Sequence, residues 1–199
     1  VMPDSNNPLL VLTATGSTAL PDFASLSPDH AEPAVDQLIG MAREAIDAAL
    51  AHADEPTWDT LIAPIEDSQD AIDRAFSPVA HMHAVMDSPE WRNAYQACVP
   101  KLTAFSSEVG QNTALYQAVA NLHDSAAFAE LGPARQRVIE HMLRDFELAG
   151  VALAGPAKKR FADIAQRRSE LATTFQQNLL DATQAWHKHI TDEARLAGL

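Results

Sequence analysis

Residues 156–190 read PAKKRFADIAQRRSELATTFQQNLLDATQAWHKHI. Their apolar members Phe161, Ile164, Leu171, Phe175, Leu179, Ala182, Trp186 and Ile190 are separated by three, four or seven positions throughout. That is the spacing of one face of an α-helix, not of a strand. Lys159, Arg160, Gln166, Arg167, Glu170, Gln176 and Lys188 fill the positions between them. An unbroken helix from Pro156 to near Ala194 would measure about 55–60 Å, well beyond a usual globular helix. Such a helix needs other helices stacked along it, or its apolar stripe stays open.

Working back from this stretch, the turn at Gly155-Pro156 separates it from a helix that Pro133 starts and Gly150 ends, with Val138, Met142, Phe146 and Leu148 inward. The segment Ala149–Leu153 is apolar enough to extend briefly. Residues 1–26, with scattered prolines and no sustained period, read as an extended arm whose Pro8–Leu12 docks on the helices. Ser27-Pro28 opens the first long helix, with Val35, Leu38, Ile39, Ala42, Ile46, Ala49 and Leu50 on one face. Thr57 caps the next, whose stripe is Trp58, Leu61, Ile62, Ile65, Ile72, Phe76 and Val79. A proline inside a helix removes a hydrogen bond, so a restart is expected at Pro64 and a bend at Pro78. Ser88-Pro89 is the clearest start signal in the chain; its helix carries Trp91, Tyr95, Cys98, Leu102, Phe105 and Val109, is interrupted by Pro100 and ends at Gly110. A shorter helix capped by Asn112 or Thr113 follows, and then a brief helical turn after Asp124-Ser125. The predicted fold is all-α: an elongated array of six or seven helices over residues 27–199, one long C-terminal helix, no sheet.

Composition agrees. The 199 residues are 47% hydrophobic but only 6% aromatic, with seven glycines, which favours close-packed helices. Fourteen Lys and Arg against 27 Asp and Glu leave a net charge of −13. That balance argues against nucleic acid or an anionic membrane as partner, since both require basic clusters. No apolar run approaches the ~18 residues of a membrane span. Cys98 is the only cysteine, and the first residues lack the basic and apolar regions of a secretory leader, so a soluble cytoplasmic protein is expected.

Chemistry-bearing constellations are sparse. A helical two-histidine zinc site needs ligands at i and i+4. Here His81/His83 and His187/His189 are two apart, which on a helix places each pair on opposite sides. They read as solvated histidines, with His81 partly buried near Phe76. Cys98 lies in an inward stripe and reads as an inert thiol. Glu66, Asp70 and Asp73 share one exposed helix face that reads as solvated surface, and Lys158-Lys159-Arg160 with Arg167-Arg168 as solubilising charge. No Gly-x-Ser-x-Gly elbow or glycine-rich phosphate loop is present. These residues predict no catalytic and no metal-ligating residue.

Side-chain order adds a resemblance. Arg144-Asp145-Phe146-Glu147-Leu148-Ala149-Gly150-Val151-Ala152-Leu153, then Arg160-Phe161, Ile164, Ser169-Glu170-Leu171, Phe175 and Asn178-Leu179-Leu180-Asp181-Ala182-Thr183, resembles the N-terminal helical region of the thimet oligopeptidase/oligopeptidase A family of zinc metallopeptidases. Asn7-Pro8-Leu9-Leu10, Phe76-Ser77-Pro78-Val79-Ala80-His81, Ile190-Thr191-Asp192-Glu193 and Leu196-Ala197-Gly198-Leu199 match in the same order. The family's His-Glu-x-x-His helix and downstream Glu ligand are absent from these residues. The resemblance implies the N-terminal domain of an oligopeptidase, ending before the catalytic domain. It would be inactive alone, walling a channel for short peptides, with zinc belonging to the parent enzyme and no cofactor in this chain. Arg144, Asp145, Phe146, Phe161, Leu171, Phe175, Asn178 and Asp181 are then expected to be structural, with Asn178 and Asp181 capping neighbouring helices or satisfying their backbone groups. The implied partners are the catalytic domain of the same parent chain, short peptides, and further copies of this chain through the exposed lobe face. A stand-alone helical peptide-binding or scaffold protein is the alternative. A metalloenzyme with a non-helical histidine set is a third reading, which the spacing disfavours.

Overall fold

The computed structural model describes residues 7–13 and 20–196; residues 1–6 and 14–19 of the expected arm, and the closing 197–199, lie outside the described residues. Among the described residues there are eight α-helices and no strand. Seven follow the arm: α2 (Ala31–Leu50), α3 (Ala63–Met86), α4 (Pro89–Gly110), α5 (Thr113–His123), α6 (Ala126–Ala129), α7 (Pro133–Leu148) and α8 (Gly155–Ala185). The eighth, α1 (Pro8–Val11), is a helical turn inside the stretch expected to be extended; Asn7 caps it and Leu9 is buried.

The centre of the core is α2, which packs on α3, α4 and α5. Val35, Leu38, Ile39, Ala42, Ile46 and Ala49 are all buried, as their period predicts; Leu50 is half-buried. The alanines let neighbouring helices approach closely. Local signals set the boundaries. Ser88 accepts a hydrogen bond from the Trp91 N–H and Asn112 from the Leu115 N–H, each satisfying a donor the helix start leaves orphaned. At the end of α7, Gly150 has φ +80°, its N–H reaches the Glu147 carbonyl and the Val151 N–H reaches the Phe146 carbonyl. This is the paired closure of a helix by a left-handed glycine, completed by burial of Val151. A strand over Ala149–Leu153 is thereby replaced by a turn.

Prolines act unevenly. Pro64 stands in the first turn of α3, after a π-helical turn over Trp58–Ile62, so the helix does restart there. Pro78 and Pro100, by contrast, lie inside α3 and α4, which run on past them. Leu148 is exposed rather than inward, while Ile139 is fully buried in α7.

The long helix differs most from expectation. It ends at Ala185, and Trp186 leaves it with extended backbone. Thirty-one residues make about 46 Å, still the longest element. His187 and His189 therefore stand outside any helix, and the helical argument about their directions does not apply to them.

Candidate functional site: the open face of α8

α8 packs on α4 with its small and polar face. Ala162, Ala165, Gln166, Ser169, Thr173 and Gln177 are partly covered, and no residue of the helix is buried. Polar fastenings hold it along its length. Lys158 Nζ donates to the Gln111 carbonyl at 2.8 Å, Thr103 Oγ1 to Ser169 Oγ at 2.9 Å, and Arg92 Nη1 to Asp181 Oδ2 at 3.2 Å. The α4 partners descend as α8 ascends, so the two helices run antiparallel.

The apolar stripe lies about half a turn away at ~100° per residue. Ile164, Leu171, Phe175 and Leu179 are 51–68% exposed, and Trp186 beyond the helix end is open as well. Phe161, and Ile190 beyond the helix, are half-buried. The stripe read as the seam of the helix is its solvent face in this chain, because the groups that meet α4 are hydroxyls, amides and alanines. Beside it, α3, α4 and α8 enclose a trough of about 570 Å³ whose walls include Phe76, Leu102 and Ala172.

The distal end of α8 is tied to the α3–α4 corner. Asp87 ends α3 with φ +34°, a left-handed conformation that Asp adopts more readily than most residues. Arg92 Nε and Nη2 donate to its two oxygens at 2.5 and 2.7 Å, and the same guanidinium pairs with Asp181. The Arg92 hydrogen bonds hold both carboxyls below their usual range, and together the carboxylates raise the guanidinium's affinity for its proton. Sequence reading singled out Asp181 but not Arg92, whose only local signal was an acidic residue five positions earlier.

The other family-like residues spread out. Phe146 is buried edge-on to Tyr116, with ring centroids 5.9 Å apart, while Arg144 is exposed and donates to Asp145. Asn178 is exposed and its side chain makes no hydrogen bond among the described residues, so it caps no neighbouring helix there. His81 is exposed against Phe23; the buried histidine is His83, stacked on Tyr95 at 4.3 Å. Its ring falls four residues after Val79 on the packed face of α3, a period that identifies it. Cys98 is buried and its thiol is pushed up to about 11, chiefly by burial.

Zinc does not fit the residues present. Among the described residues no three His, Cys, Asp or Glu side chains come close enough to hold a metal ion. Nor is any helix long and apolar enough to cross a membrane. Fold and face together define an all-helical domain with an unpaired apolar helix face.

Comparison with known proteins names the family. A profile described as the N-terminal domain of neurolysin and thimet oligopeptidase matches residues 35–158, and the chain belongs to that family. It is 40% identical over 193 residues to oligopeptidase A of Salmonella typhimurium, covering 97% of this chain and 28% of that protein. Oligopeptidase A of Haemophilus influenzae is 42% identical over 194 residues, 98% of this chain and 28% of the relative. A probable cytosolic oligopeptidase A of Arabidopsis thaliana is 31% identical over 195 residues, 98% and 27% respectively. The chain thus spans little more than a quarter of the length of these relatives.

Proposed function

We propose that this chain is the non-catalytic N-terminal helical domain of a cytoplasmic zinc oligopeptidase, and that the α8 face is where it meets the rest of that enzyme. One observation carries the reading: a 31-residue helix with no buried side chain presents Ile164, Leu171, Phe175 and Leu179 in a line to solvent. An apolar stripe of that length is what a helix keeps when its partner is elsewhere. Family membership and the quarter-length coverage of the relatives support one partner, the catalytic part of the same polypeptide. In this reading Phe161, Leu171 and Phe175 are contacts to the catalytic part, and Arg144, Asp145, Phe146 and Asp181 hold the wall's own helices in place, while Asn178 lies on the joining surface. The domain's contribution is steric, forming one wall of a channel that admits short peptides. Zinc and the base that activates water belong to the catalytic part, and in the isolated chain the open stripe drives self-association.

The test is a fluorogenic-peptide cleavage assay with and without added zinc or cobalt, beside metal analysis of the same sample. No turnover and no retained metal are expected. Metal-dependent turnover that survives further purification would overturn the reading and make the histidines a site after all.

A further inference from the structure

Toward the C-terminal end of α4, the ends of three helices enclose a recess of about 310 Å³, within the size range of small-ligand sites. Ile65 of α3, Val109 of α4 and Phe146 of α7 supply an apolar lining, and the exposed carboxylates of Glu66 and Asp145 stand on its lip. α8 contributes nothing to it. Gly110 lines it too: a Cβ there would stand 2.7 Å from the Ala149 Cβ, so the close approach of α4 to the end of α7 requires glycine.

The two carboxylates are unequally engaged. Arg144 Nε and Nη2 both bond Asp145 Oδ1. Glu66 has neither ion pair nor hydrogen bond among the described residues. Desolvation by the neighbouring helix ends, and then the charge of Asp67, raises its carboxyl above the usual range. A carboxylate on the lip of an apolar hollow is complementary to an aliphatic stem ending in a cation.

We infer that the recess at α3, α4 and α7 is a subsite for a lysine or arginine side chain of a short peptide, its stem on Ile65, Val109 and Phe146 and its cation at Glu66 and Asp145. The peptide as occupant rests on the proposed function, while the recess and its carboxylates are observed in this chain itself. A neutral apolar side chain would fill the hollow but leave Glu66 unpaired, and an acidic one would be repelled.

Fluorescence anisotropy of the 199-residue chain with two labelled tetrapeptides, identical except for a central lysine or norleucine, tests this. The lysine peptide should bind about tenfold more tightly, the weight of one charge-assisted contact. Glu66→Gln should abolish that preference, as should Ser106→Lys, which places a cation of the protein's own in the recess from an exposed position of α4. Both variants should keep the parent's helical circular dichroism, and Phe175→Asp on α8 should bind as the parent does. Equal affinity for the two peptides, no binding of either, or a lysine preference that survives Glu66→Gln overturns the proposal. Loss of binding in Phe175→Asp would assign the peptide to α8 and overturn it equally.

Discussion

His83 is the residue whose surroundings most sharply constrain its chemistry. It is buried, stacked on Tyr95 with an interplanar angle of 9°, and its Nε2 has no hydrogen-bond partner. Burial lowers its pKa; Asp87 opposes that shift and Arg92 reinforces it. The unfolded chain therefore takes up a proton before the folded one does. Stability from this residue is full above about pH 6.5, the unperturbed value, and falls as pH drops from there toward the lowered folded pKa. His83→Phe should flatten that part of the pH–stability curve, followed by urea unfolding between pH 7.5 and 5; an unchanged slope would mean His83 is not held neutral. Gly110 offers a steric counterpart. With Ala149 Cβ only 2.7 Å from an added Cβ, Gly110→Ala should destabilise by about 1–3 kcal/mol despite its better helix propensity. A melting temperature equal to the parent's would show that α7 yields freely at that contact.

At the scale of the element, α8 separates what periodicity reports from what it leaves open. The three-four spacing of Phe161, Ile164, Leu171, Phe175 and Leu179 identified a helix with one apolar face, and the helix is there. Spacing does not say whether the partner of that face lies in the same chain. For α2 it does; for α8 the covering groups are Ala162, Ser169 and Thr173 on the other side. The start signals at Ser88-Pro89 and Asn112 and the stop at Gly150 were legible because caps are local chemistry. The end of α8 at Ala185 was not, since Trp186 and Ile190 continue the period beyond the helix. Arg92 was illegible for another reason: its second partner, Asp181, is 89 positions away. A double substitution follows from the exposure of the stripe. Leu171→Asp with Phe175→Asp should change stability by no more than about 0.5 kcal/mol per site, and should shift the chain toward monomer in sedimentation velocity. Buried side chains of this size would cost about 2–5 kcal/mol each, so a large loss of stability would mean the stripe is core.

Among the described residues, exposed apolar side chains line up along α8, on a chain of strongly acidic composition; Val85, Met86 and Leu148 are open elsewhere. Net charge of −13 resists indiscriminate self-association, which leaves that line as the place where another polypeptide gains most by docking. Covering it removes several large side chains from water, each worth up to about 1.5–3 kcal/mol. The matching relatives are more than three times as long as this chain, and in the proposed function that remaining length supplies the cover. The measurement that tests it most directly is complementation. The portion of Haemophilus influenzae oligopeptidase A that this chain does not match would be prepared alone and assayed for peptide cleavage with the 199-residue chain added. A one-to-one complex and a gain in cleavage are expected with the parent chain, and neither with the Leu171→Asp, Phe175→Asp variant. Complex formation undiminished by that variant would contradict the proposed function, because the joining surface would then lie elsewhere.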